Sequence, residues 1–218
     1  MTQIMNDEVH VMIDIETLGT RPDAVVLSVG AVAFRPFATA GEFVLVEKAE
    51  FHRFLDIDEQ VRDGRTIDVD TIKFWLHNKG TLVSILLEEK SSQFDMLSGL
   101  RQFLEVYKPK RLWARGPQFD QVILENMISA NNLPPLWEYW RWMDMRTLVR
   151  ISDAVICEDD ASAIRQMTGP RVKHDALDDA KNQAILTARY LKYLQVQMPQ
   201  RVKDDESQTT IVWEGPST

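Results

Sequence analysis

Two carboxylates interrupt an otherwise apolar stretch near the start of the chain, Val11-Met12-Ile13-Asp14-Ile15-Glu16-Thr17. Residues 9–15 read as a short strand, and in a strand residues two apart point to the same face. Asp14 and Glu16 therefore stand side by side at its end, while Ile13 and Ile15 face the other way. At an effective dielectric near 20, two carboxylates about 5 Å apart repel by roughly 3 kcal/mol. A fold that keeps them there is most simply relieved by a cation. The spacing alone carries none of this, because Asp204-Asp205-Glu206 repeats the same triplet in a polar segment. Strand context separates the two.

The rest of the pattern gives the fold class. Val25 to Phe34 is a nearly unbroken apolar run, as expected of a strand buried on both faces. A third strand, or a broken pair, spans about Phe43 to Leu55. Helical periodicity follows over Val69 to Asn78, with Gly80 as its stop, and over Leu82 to Glu89. Ser92 to Tyr107 is amphipathic, with Phe94, Leu97, Leu100, Phe103 and Leu104 expected on one face. A strand over Arg111 to Arg115 leads into a helix from about Phe119 to Ala130, with Val122, Ile123, Met127 and Ile128 inward. Trp137, Trp140 and Trp142 surround a short strand or turn reaching Asp144, and they read as packing for a subdomain or for a homodimer face. A long last helix is expected from about Ala176 to Gln197. Strands first, then strand–helix alternation, predicts a three-layer α/β domain with a mixed sheet opened by an antiparallel meander. Residues 1–198 form the expected domain, and 199–218 a polar tail with Ile211-Val212-Trp213 as a docking patch.

Composition narrows the function classes. At 218 residues the chain can bury a full core. The single cysteine, Cys157, excludes an internal disulfide and fits a reducing cytoplasm. No apolar run approaches the roughly 20 residues of a membrane helix, and no leader-like segment opens the chain. The net charge of −8 argues at first against a polyanionic partner. Bound divalent cations reverse that sign where a phosphate sits. Basic residues also cluster locally: Lys108, Lys110, Arg111 and Arg115, then Arg141, Arg146 and Arg150, then Arg165, Arg171 and Lys173.

Two further segments supply chemistry. In Arg115-Gly116-Pro117-Gln118-Phe119-Asp120, Gly116 permits close backbone approach, Pro117 suits a first helical turn, and Asp120 follows within it. Alone, Asp120 reads as an ordinary first-turn aspartate. Of the four histidines only His174 has an aspartate five residues later, Asp179. That spacing separates the two side chains on a continuous helix. His174 is thus expected in the preceding loop or first turn, with Asp179 inside the helix. Ala176 and Ala180 leave room for close packing.

In this order, D-x-E on a first strand, G-x-x-F-D at a strand–helix junction and H-x-A-x-x-D opening a final helix resemble the DEDDh 3′–5′ exonucleases of the DnaQ-like group, on a ribonuclease H-like fold. The resemblance covers roughly residues 9–197. The segments Ile15–Thr20, Thr71–Leu76, Trp113–Pro117 and Asp144–Leu148 look most like the phage exonuclease A branch and its bacterial exoribonuclease-like relatives. It implies hydrolysis with two Mg²⁺ or Mn²⁺ ions. Asp14, Glu16 and Asp179 would hold one ion, and Asp14 would bridge to a second supported by Asp120. His174 would take the proton from the attacking water, a task suited to imidazole. Thr17 and Leu18 would contact the 3′-terminal nucleotide. Trp75 would either stack on a base or pack in the core, and Arg115 would reach a phosphate. The expected substrate is a single-stranded 3′ end, DNA before RNA, giving nucleoside 5′-monophosphates. The alternatives are a catalytically silent binding module on the same fold and a ribonuclease H-like endonuclease.

Overall fold

The computed structural model describes residues 8–37, 44–157, 162, 164 and 174–197. Phe43, the cluster Arg165, Arg171 and Lys173, and the tail 199–218 with Ile211-Val212-Trp213 lie outside the described residues. Three strands open the fold: β1 (His10–Thr17), β2 (Val26–Phe34) and β3 (Leu45–Leu55). They pair antiparallel in sequence order, as the meander predicts. Then come α1 (Ile57–Arg62), α2 (Val69–His77), α3 (Lys79–Leu87), the short β4 (Lys90–Ser91) and α4 (Gln93–Tyr107). Strand β5 (Arg111–Ala114), α5 (Pro117–Ala130), a 3₁₀ turn (Tyr139–Arg141), β6 (Trp142–Asp144), α6 (Met145–Val155) and α7 (Ala176–Gln197) complete the described chain.

The six strands form one mixed sheet in the order β4-β3-β2-β1-β5-β6, with β5 parallel to β1 and β6 parallel to β5. Alternation sorts the side chains into two layers. Val11, Ile13, Ile15, Val29, Ala31 and Ala33 pack with α4 and α5 on one face. Met12, Val32 and Phe34 pack on the other face with Met145 of α6 and Ala180, Ala184 and Ala188 of α7. Asp14 and Glu16 share the Met12 parity and so project on the α6–α7 side. A smaller cluster, Leu18, Val25, Leu27, Trp75 and Ile85, fastens α2 and α3 to the sheet.

Several sequence expectations need correction. Gly80 does not stop a helix. Asn78 is both the last-turn cap of α2 and the lead residue of α3, and Gly80 lies within α3. Phe94 is 54% exposed because Met96 takes its place in the buried arc of α4, and Val122 likewise faces out while Leu124 packs inward. Three elements have no counterpart in the sequence reading: α1, β4 and α6. Helix α1 is too short to show a period. Its Gln60 side chain accepts from the Val26 N–H and donates to the Val26 carbonyl, each at 2.8 Å, in place of a neighbouring strand. Helix α6 begins at Asp144, whose carboxylate accepts from the Arg146 N–H at 2.9 Å and the Thr147 hydroxyl at 2.6 Å. Asp144 is therefore a helix cap. Trp137 and Trp142 meet edge to face at 5.2 Å, whereas Trp140 is 60% exposed.

The contact that positions the site is between α7 and β2. A Cβ on Gly30 would lie 2.3 Å from the Ala176 carbonyl and the Leu177 nitrogen, so the helix backbone rests directly on the strand. Ala176, Ala180, Ala184 and Ala188, four residues apart and all buried, continue this close approach along the helix. Gly30→Ala forces backbone apart rather than a side chain. It should cost about 3 kcal/mol, the upper end for overpacking, as measured by urea unfolding. A cost within experimental error would show that α7 does not sit this close.

Candidate active site

Strand β1 delivers two carboxylates to the end of the sheet, in register with two small residues of β2. Asp14 stands opposite Gly30 and Glu16 opposite Ser28. The pairing slips between Glu16 and Thr17, which ends the regular ladder just beyond the acidic pair. Asp120 reaches the same end from α5. Gly116 at φ +108° makes the turn from β5, Pro117 opens the helix, and Asp120 sits in its first turn as expected. The Asp120 carboxylate accepts from the Ile15 N–H at 3.2 Å, between the two β1 acids.

The fourth acid and the histidine come from the start of α7. Asp175 caps that helix, accepting from the Leu177 and Asp178 N–H groups at 3.1 and 2.9 Å. His174, just before the cap, has φ +64°, a left-handed conformation costing roughly 1–2 kcal/mol for a residue with a Cβ. Its ring packs edge-on against Phe74 at 4.9 Å and Trp75 at 6.0 Å. Glu16, His174 and Asp179 each offer a ligand atom, all within 4.8 Å of one another. Residues 14, 16, 120, 174 and 179 thus line one cleft of about 780 Å³.

Charge crowding is the signature of this cleft. Burial, then the neighbouring Asp179, Asp120 and Asp175, push Glu16 up to about 8. Asp120 rises to about 7 through burial, against the restraining pull of its backbone hydrogen bonds and of Arg146. Asp14 is raised well above the carboxylate range by burial and by Asp120 and Glu16, opposed by a hydrogen bond from Gln183. A proton on each acid relieves the repulsion, and a cation replaces those protons. The donor set of carboxylates with one imidazole and no thiol fits an oxygen-preferring divalent cation.

Residues assigned to substrate binding fall differently. Arg115 is exposed and, with Arg146 and Arg150, lines the cleft. Lys108, Lys110, Arg111 and Arg141 lie around another groove, between the start of β1 and the end of α4. Thr17, Leu18 and Trp75 are 6%, 8% and 1% exposed. The Thr17 hydroxyl donates to the Gly19 carbonyl, Leu18 packs in the third cluster, and Trp75 Nε1 donates to the Thr17 carbonyl at 2.8 Å. Of the two readings of Trp75, core packing is the one its burial matches, since a ring closed in this way presents no face to a base. The exposed aromatic is its neighbour Phe74, 42% exposed, beside a second cleft of about 500 Å³ that shares Glu16 and Phe119 with the first. Sequence reasoning also missed Asp175 and Gln183. Helical spacing was the available signal for Gln183, which lies four residues beyond Asp179.

The sequence model of the Rv2179c-like 3′–5′ exoribonuclease domain matches residues 9–191. No curated protein matches significantly. Solved structures share the fold at low identity. E. coli exonuclease I in a zinc-bound complex with single-stranded DNA superposes with a TM-score of 0.60 at 16% identity, covering 87% of this chain and 41% of that one. Cell-death related nuclease 4 gives 0.58 at 15%, covering 86% and 65%. The nuclease domain of 3′hExo, a DEDDh member bound to rAMP, gives 0.57 at 15%, covering 85% and 92%. The chain thus spans less than two thirds of the first two, and the likeness establishes a ribonuclease H-like exonuclease fold. Among the described residues no helix is long and apolar enough to cross a membrane.

The raised acids set the pH dependence of the metal-free protein. Folding favours the protonated acids, so the stability that Asp14, Glu16 and Asp120 contribute is fully present below their ordinary values near 4 and is lost as pH rises, up to about 7 for Asp120 and about 8 for Glu16. His10 and His52 are shifted down, so they act in the opposite sense below pH 6.5, where their contribution is lost as pH falls, and the acids act alone above it. In chelator the melting temperature should fall as pH rises from 6.5 to about 8, and Mn²⁺ should flatten that slope. A flat profile in chelator would contradict the crowding.

Proposed function

The chain belongs to the Rv2179c-like family of 3′–5′ exoribonuclease domains, and we propose that it removes nucleotides from the 3′ end of single-stranded nucleic acid, RNA foremost, with two Mg²⁺ or Mn²⁺ ions. The observation that carries this reading is the convergence of four carboxylates and His174 at one end of β1, with Glu16, His174 and Asp179 inside 4.8 Å. The choice of RNA follows the description of the matching family, where the sequence alone inclined to DNA.

Asp14, Glu16 and Asp179 hold cations, with Asp120 supporting through its place beside Ile15. When bound, the cations supply the positive charge that polarises the scissile phosphate and makes a water acidic enough to attack. His174 accepts the proton of that water at a ring nitrogen, and its loop position before the Asp175 cap lets the ring turn away from Phe74 to do so. Arg115, Arg146 and Arg150 face the backbone phosphates along the cleft. Phe74 offers a face to the terminal base, while Thr17 and Leu18 shape the floor from within the core. A binding module without catalysis has no use for acids this crowded, since each costs energy until neutralised.

Matched 5′-labelled RNA and DNA strands, incubated with Mg²⁺, Mn²⁺ or chelator, test the reading. A ladder shortening from the 3′ end, with nucleoside 5′-monophosphates released and nothing in chelator, is expected. Internal cuts, or equal cleavage in chelator, would sink it. Asp14→Asn should abolish turnover while the protein stays folded. His174→Ala should lower kcat by about 10²–10⁴-fold, as loss of a general base does. Phe74→Ala should raise KM roughly tenfold, given about 1–3 kcal/mol per stacked base.

A further inference from the structure

We infer that Gln183 is a positioning residue for cation capture: its side-chain amide holds one oxygen of Asp14 and so presents the other to the ion. This rests on the metal-dependent reading above. Gln183 lies one turn beyond Asp179 on α7, so the helix face that carries Asp179 to the cleft carries Gln183 as well. Its Nε2 donates to Asp14 Oδ1 at 2.7 Å, across a sequence separation of 169 residues. The residue is 8% exposed and lines the cleft.

Oε1, at the other end of the amide, is buried and has no hydrogen-bond partner among the described residues. A glutamine kept only for packing is poorly suited to such a place, because methionine fills a similar volume without stranding an acceptor. With a cation bound Asp14 would be ionised and could only accept, which suits the nitrogen end that faces it. A lysine or arginine there would also donate, but its charge would compete with the cation. A neutral donor fixes the orientation of Asp14 and leaves its charge available. Supporting residues of this kind commonly change metal affinity by about 10–100-fold when lost.

The test measures Mn²⁺ binding by electron paramagnetic resonance on the full chain without nucleic acid, for the wild type, Gln183→Met and Gln183→Ala. The expected result is a Kd raised about tenfold or more. The melting temperature in chelator should stay within about 4 °C of wild type, while the Mn²⁺-induced rise in that temperature shrinks. A merely structural role would lower the melting temperature equally with and without Mn²⁺ and leave Kd alone. Unchanged Kd in the folded variants overturns the inference, as does failure of both variants to fold. A wild type that binds Mn²⁺ yet leaves 3′ ends intact defeats the nuclease reading and spares this one. A wild type that binds no Mn²⁺ defeats both.

Discussion

The direct contact of the α7 backbone with Gly30 is the constraint on which the site depends. Asp14 faces Gly30 across the β1–β2 ladder, and Ala176 lies on that same glycine. One side-chain-free position therefore sets the distance between the acids of β1 and those of α7. The alanines at 176, 180, 184 and 188 continue the approach over the sheet, so the helix cannot tilt away at its catalytic end without separating all of them. The ion pair between Lys181 and Glu50, at 2.8 Å, ties the same turn to β3.

That closeness has an electrostatic price which the fold contains locally. Glu16, Asp120 and Asp14 are each pushed up, and the surroundings answer with neutral donors: the Ile15 N–H to Asp120 and the Gln183 amide to Asp14. Arg146, whose charge acts on Asp120, is engaged with the Arg115 carbonyl at 3.0 Å. Among the described residues the centre is left with excess negative charge, which protons or a mobile cation would satisfy.

Much of this was legible in the sequence. The bounds of α7 and the position of β2 follow from periodicity and an apolar run, and the five site residues follow from the order of three short motifs. What escaped did so for physical reasons. Helix α1 owes its place to Gln60 imitating a strand, which leaves no hydrophobic period to read. Phe94 and Val122 are apolar yet exposed, because hydrophobic character does not compel burial. Trp75 and Phe74 are adjacent, so the helix turns one into the core and the other toward solvent, and sequence alone could not say which. Gln183 carries no charge and belongs to no acidic motif; its spacing from Asp179 hints at a shared face, and its 2.7 Å bond to Asp14 shows what it does there.

The site is assembled from residues 14 and 16, then 120, then 174 and 179, in that order of synthesis. Chain growth at about 5–20 residues per second places the last of them on the order of ten to thirty seconds behind the first. Until α7 is made, β2 has no helix on Gly30 and the β1 acids have neither His174 nor Asp179 beside them. A polypeptide released early, or still attached to the ribosome, carries an acidic strand but no cleft. The acidic strand is thus among the first parts of the domain to be made, and the histidine and fourth acid that complete its site are among the last.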